Sequence, residues 1–170
     1  MAHTNYSTKS RRHSALRQDV SEAIMLKKIR FSEVQVGDEL PPVEQLVSQQ
    51  VIDKYAVTSL DYNPVHTNAD WCTRAQVFGM PCTVGHGMFT QSLMASVPIR
   101  AWGAGSVVFR TMEAKFTKPV PVGTMLTCTG KVKELHPIGP GRNFIVLELQ
   151  ALDSADTVMG IATASIALPD

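Results

Sequence analysis

The chain has 170 residues, 44% of them hydrophobic and 18% charged, with a formal net charge of +1. That length suits one domain with a substantial core and is too short for two of ordinary size. No apolar run approaches the roughly 20 residues of a membrane-spanning helix, and so small a net charge makes no strong basic field; neither membrane nor nucleic acid is expected as a partner.

The charge is unevenly spread. Lys9, Arg11, Arg12, Arg17, Lys27, Lys28 and Arg30 face only Asp19 and Glu22 near the N-terminus. Residues 1–28 therefore read as a basic, flexible tail ahead of a single domain over 29–170. The tail lacks the apolar core of a secretory signal. Its serines and arginines, with no acid before Asp19, have the composition of an organelle transit peptide or of a solvated arm that can meet an acidic carrier protein. Cys72, Cys82 and Cys128 form no C-x-x-C pair and have no histidine at metal-finger spacing, so neither a metal nor another cofactor is expected. Reduced thiols in a cytoplasmic compartment are the default.

In chain order, a turn-rich stretch over Val36–Pro42 leads to a short strand over Val43–Val47. Ser48 is placed to cap a helix whose apolar positions are Val51, Ile52, Tyr55, Ala56 and Leu60. Pro64 disfavours helical geometry at Asn63, so Asp61-Tyr62-Asn63-Pro64 ends that helix. Asn68 can cap a second short helix through Arg74 and Ala75, before a loop at Phe78-Gly79-Met80-Pro81. Met88 to Arg100 is apolar almost all round, and such a helix belongs inside something. Ser106–Phe116, Thr124–Leu135, Phe144–Leu152 and Val158–Leu168 then read as four strands. In the third, Ile145, Leu147, Leu149 and Ala151 share a face. Pro119–Gly123, Pro137–Gly141 and Asp153–Asp156 read as tight turns, which predicts an antiparallel meander wrapped around the buried helix in an α+β domain.

Two segments carry chemistry. Asp61 leaves a helix, Pro64 fixes a turn, and His66 follows; such a turn can aim a carboxylate and an imidazole at one water and let them share its protons. The same spacing describes an ordinary Asx-turn with Asp61 bonded to backbone and His66 at the surface. Downstream, Gly85-His86-Gly87 opens the buried helix and leaves backbone N–H groups uncovered at its positive end, where a carbonyl gaining negative charge would be stabilised. The alternative there is a tight turn that allows close packing. Thr90 stands where a dinucleotide-binding G-x-G-x-x-G requires glycine. Cys82 lies four residues before His86, but no third group orients such a pair, and Cys82 reads as a small buried hydrophobe. Gly139-Pro140-Gly141-Arg142 reads as a turn, and Met80, Met88, Met94 and Met112 as pliable core or tunnel lining.

Together, Tyr55-Ala56-x-x-Ser59-Leu60-Asp61-Tyr62-Asn63-Pro64-Val65-His66 and Gly85-His86-Gly87-Met88 resemble the MaoC-like family of (R)-specific enoyl-thioester hydratases and 3-hydroxyacyl-thioester dehydratases. That family's motif runs Tyr-Ala-x-x-Ser-Gly-Asp-x-Asn-Pro-x-His, then Ala-His-Gly-Met. Lys115-Phe116-Thr117-Lys118-Pro119-Val120 and Gly123 are similar to its strand and turn after the central helix, and the likeness spans residues 30–168. The resemblance implies a hotdog fold, an antiparallel sheet wrapped around a central helix, and a homodimer or a pair of non-identical chains joined at their sheet edges. It also implies an acyl thioester of CoA or acyl-carrier protein as substrate. Asp61 and His66 become the water-handling dyad, with Asn63 orienting it and the Gly87 N–H receiving the thioester oxygen. Tyr62, His86 and Met88 would line the substrate's path.

Two positions depart from the pattern. Leu60 replaces a glycine and would strain the turn if positive φ is required there; Gly85 replaces an alanine. A thioesterase on the same scaffold, and a non-catalytic acyl-binding subunit silenced by Leu60, are the competing expectations.

Overall fold

The structure, a computed structural model, describes residues 28–170. The expectations for the basic tail, whether flexible arm, transit peptide or carrier contact, therefore lie outside the described residues. Five strands, β1 (Glu39–Leu46), β2 (Val108–Phe116), β3 (Met125–His136), β4 (Phe144–Leu152) and β5 (Val158–Ala167), form one antiparallel sheet in the order β1-β3-β4-β5-β2. Between β1 and β2 lie the helices α1 (Gln49–Ser59), α2 (Pro64–Thr67), α3 (Ala69–Ala75) and α4 (Gly87–Trp102). No helix among the described residues is long and apolar enough to cross a membrane.

The strand periodicity translates directly into the core. Ile145, Leu147, Leu149 and Ala151 are all buried on the inner face of β4. Leu126, Cys128 and Val132 of β3, and Ala162, Ala164 and Ile166 of β5, continue the same layer. The curved sheet closes on Leu93, Met94, Val97 and Ala101 of α4, so the apolar helix is the core's centre. Burial pushes the Cys128 thiol up to about 12, which leaves it an inert core side chain. All three cysteines are free; Cys72 is buried and Cys82 half-buried.

Two expectations require correction. The second-half strands are not a simple meander: β3-β4 and β4-β5 are hairpin pairs, but β2 pairs with β5 and β3 with β1. The Pro119–Gly123 segment is thus a crossover from one sheet edge to the other side. Its two prolines lack the N–H donors a central ladder requires, and its remaining groups bond elsewhere, Gly85 N to Val120 O at 2.8 Å and Val122 N to Thr83 O at 2.9 Å. Secondly, β1 starts at Glu39 rather than Val43 and runs through Pro41 and Pro42. An edge strand tolerates prolines, and the register slips between Leu40 and Val43 where they sit.

Gly130 of β3 lies in a closely packed part of the core, between its neighbouring strands and α4. A Cβ there would stand 2.9 Å from Leu149 Cδ2 and 3.2 Å from both Leu40 Cδ1 and Val97 Cγ1. Gly130→Val is therefore expected to cost about 1–3 kcal/mol through overpacking. For a chain of this size each kcal/mol lowers Tm by about 2–4 °C, a shift that thermal denaturation followed by circular dichroism will register.

Candidate active site

Helix α1 begins where Ser48 Oγ accepts from Val51 N at 3.3 Å, and it buries Ile52 and Ala56. It ends at Leu60, which adopts the left-handed conformation (φ 58°, ψ 23°) with its side chain 77% exposed. A glycine would take that conformation without steric cost. The helix end is steadied by Ser59, whose Oγ donates to Tyr55 O at 2.7 Å and accepts from Asp61 N at 3.4 Å.

Asp61 divides its carboxylate between two tasks. Oδ1 accepts from Asn63 N at 3.2 Å, closing an Asx-turn. Oδ2 faces two imidazoles and lies 3.9 Å from Nε2 of both His66 and His86. The turn and the convergence, alternatives on sequence grounds, thus coexist. His66 is carried by an unforeseen helical turn, α2, with Pro64 at its first position and Asn63 as its cap, Oδ1 accepting from Val65 N at 3.2 Å. The Asn63 side-chain oxygen is therefore engaged with backbone, while the residue also borders the cleft described below.

His66 is oriented from behind. Its Nδ1 donates to Val84 O at 2.7 Å, which assigns the proton to Nδ1 and leaves Nε2 as a lone pair toward Asp61. Its main-chain oxygen accepts from Gln49 Nε2 at 2.9 Å, and Gln49 Oε1 in turn accepts from Thr83 Oγ1 at 2.5 Å. Gln49 and Thr83 went unnoticed in the sequence, since a polar residue opening a helix and a threonine before a glycine carry no signal of their own. Burial is the largest influence on His66 and holds its proton affinity below the usual 6.5; the Val84 bond opposes that, the neighbouring His86 adds to it, and Asp61 opposes it.

The gap of 3.9 Å is too long for a direct hydrogen bond. Two bonds of about 2.8 Å meeting at roughly a right angle span it, so one oxygen atom fits between carboxylate and imidazole. A cleft of about 530 Å³ opens beside this point. His66, Asn63, Thr117 and Lys118 supply its polar lining, and Val65, Val84, Phe116, Val120 and Met159 its apolar wall. Gly87, the first residue of α4, also faces the cleft, and a Cβ there would lie 2.9 Å from two atoms of the Phe116 ring. Only glycine lets that helix end approach so closely. Thr90, Phe116 and Lys118 of this lining were not singled out by the sequence as site residues.

The remaining expected substrate contacts lie elsewhere. His86 is buried, with Nε2 donating to Asp61 main-chain O at 3.0 Å. Tyr62 and Met88 are more than half exposed and do not line the cleft. Gly139–Arg142 is a turn, closed by Arg142 N donating to Gly139 O at 2.9 Å. Asp61, His66 and His86 offer one ligand atom each within 4.8 Å of one another. The His86 Nε2 lone pair is unavailable, however, because that nitrogen bears the proton given to the Asp61 carbonyl. Two remaining ligands make a poor metal site.

Comparison with known proteins converges on one family. The sequence profile described as "MaoC like domain" matches residues 18–146. The chain is 29% identical over 108 residues to an (R)-specific enoyl-CoA hydratase of Rhodospirillum rubrum, a match covering 63% of this chain and 72% of that protein. It is 37% identical over 82 residues to 3-hydroxyacyl-thioester dehydratase X of Mycobacterium tuberculosis, covering 47% of this chain but only 26% of that much longer protein. Among solved structures, R-hydratase PhaJ1 from Pseudomonas aeruginosa superposes with a TM-score of 0.75 at 23% identity, covering 85% of this chain and 88% of that one. The fold is the hotdog fold, as the resemblance implied.

Relieving the left-handed residue should stabilise the protein. Leu60→Gly is expected to add up to about 1 kcal/mol, the steric gain being offset in part by glycine's greater unfolded-state entropy, and calorimetry should show a higher Tm. NMR titration of the His66 ring is expected to give a midpoint below 6.5, so that the neutral ring persists into mildly acidic solution; a midpoint above that value would contradict the burial described.

Proposed function

The chain belongs to the MaoC-like family, and from that premise we propose that it is a hydro-lyase catalysing reversible hydration of trans-2-enoyl thioesters to (R)-3-hydroxyacyl thioesters in fatty-acid metabolism. The observation that carries this reading is the Asp61 Oδ2–His66 Nε2 separation of 3.9 Å, with His66 lining a cleft that Gly87, the first residue of α4, also lines.

The thioester enters the cleft with its carbonyl oxygen toward the Gly87 N–H. The catalytic water sits between Asp61 and His66. His66 Nε2, a bare lone pair in the tautomer held by Val84, takes a proton from that water as its oxygen bonds to the β-carbon. The π electrons move toward the carbonyl, and the resulting enolate oxygen is stabilised by the Gly87 N–H at the positive end of α4. The dyad then returns a proton to the α-carbon, so the elements of water are added with no net change at the protein. Asp61 accepts a hydrogen bond from the O–H that the water keeps and supports the transient imidazolium; with its other oxygen held by Asn63 N, its orientation is set beforehand. Asn63 acts through that turn and through its cap on α2. In the dehydration direction the same steps run backwards.

We further propose that two chains associate along β2, the strand that ends the sheet at one side. Val108 and Phe116 of that strand are 62% and 43% exposed, leaving apolar surface for a second copy or a non-identical hotdog chain to cover. With Leu60 in place Asp61 Oδ2 and His66 Nε2 still face each other at 3.9 Å, which favours a working enzyme over a silenced acyl-binding subunit.

The test is loss of enoyl absorbance with crotonyl- and longer-chain CoA and carrier-protein thioesters, alongside a dye for free thiol and a sedimentation mass. Expected are hydration without thiol release, a mass of two chains, and a loss of about 10²–10⁴-fold in Asp61→Asn and His66→Ala. Thiol release at the rate of substrate loss would establish a thioesterase instead, and undiminished turnover in both variants would remove the dyad from the mechanism.

A further inference from the structure

His86 occupies a place that packing alone would give to an apolar ring. It is 2% exposed and stands at the cap of α4, yet its side chain makes no capping bond to that helix. Its Nδ1 is buried without a hydrogen-bond partner among the described residues. Burying a polar ring on those terms is unfavourable unless its other nitrogen makes a bond that matters. That bond, from Nε2 to the Asp61 main-chain oxygen at 3.0 Å, reaches back 25 residues to one member of the dyad. The ring itself lies against the other member, its centroid 3.7 Å from that of His66 with 25° between their planes. Tyr55 of α1 packs against the same ring at 4.9 Å. His86 is buried and, like Asp61, stands behind His66, which alone of the three lines the cleft.

We propose that His86 is a positioning residue: its Nε2–H tethers the Asp61 backbone, and its stacked ring sets the plane of His66, so that acid and base are held in register with the Gly87 end of α4. This rests on the hydratase reading given above. Without the tether, Asp61 follows a left-handed, exposed Leu60 and is restrained only by local contacts with Ser59 and Asn63. Without the stack, the His66 ring is held by the single bond to Val84. One residue adjoining Gly87 in sequence thereby ties both ends of the dyad to the proposed oxyanion donor.

The ionisable groups around His66 are the Asp61 carboxylate, the His86 ring and, packed against that ring, the Tyr55 phenol; Lys118 lines the same cleft. His86 opposes protonation of His66 and Asp61 favours it. Removing the His86 ring should therefore raise the His66 midpoint.

Two substitutions separate the contributions. His86→Gln keeps an amide donor near the place of Nε2 but removes the ring; His86→Phe keeps a stacked ring and loses the donor. With folding verified by circular dichroism, His86→Phe is expected to lower kcat by about 10²-fold, the scale associated with a misplacement near 1 Å, with KM little changed. His86→Gln should recover a large part of that loss, and NMR should show its His66 midpoint raised above that of the unsubstituted protein. A change in KM instead of kcat would make His86 a substrate contact. Unchanged kcat in His86→Phe, or an unmoved His66 midpoint in His86→Gln, would overturn the assignment. If the unsubstituted protein hydrates no thioester, the hydratase reading fails by itself; the NMR arm needs no turnover and still decides whether His86 governs His66.

Discussion

The peptide group of Val84 is the constraint on which the rest of the site depends. Its N–H donates to Val65 O at 3.1 Å, and its carbonyl accepts from His66 Nδ1 at 2.7 Å. On either side, Thr83 O accepts from Val122 N and Gly85 N donates to Val120 O. A short extended stretch is thus clamped between the helical turn that carries His66 and the crossover that joins β2 to β3. Buried backbone groups must find partners, and here the partners they find bring the two motif segments into one place.

That clamp explains why the crossover matters. Because β2 pairs with β5 at the far edge, the chain must pass in front of the helix N-terminus on its way to β3. Phe116 and Val120 become cleft wall as a consequence, and Phe116 approaches so closely that residue 87 has no room for a side chain. The glycine answers to tertiary packing as well as to whatever its N–H does chemically.

The dyad is prepared by a division of labour within single side chains. One oxygen of Asp61 holds the turn and the other faces the histidines; one nitrogen of His66 holds Val84 and the other faces Asp61. Each group's structural bond restrains its rotation, which would leave little reorganisation for the proposed chemical step. Partial burial holds the proton affinity of His66 below its usual value, while Asp61 is half exposed.

Much of this was legible in the sequence because it is local. Caps at Ser48 and Asn68, the helix end ahead of Asp61, the alternation in β4 and the apolar composition of α4 depend on neighbours a few residues away, and all recur in the structure, although Pro64 itself opens α2. The motif residues pointed to Asp61, His66 and Gly87, and in the structure Asp61 faces His66 while His66 and Gly87 line one cleft. What sequence could not supply were relations between segments with no shared period: β2 with β5 rather than β3, Gln49 with Thr83, and His86 with Asp61. The proline-rich crossover read as a tight turn since a turn and an edge-crossing segment have the same local chemistry. Residue types along a chain determine which conformations each stretch can adopt and which face it must bury; only the closing of the sheet around α4 decides which stretches meet, because that choice is made by the summed burial and hydrogen bonding of the whole core.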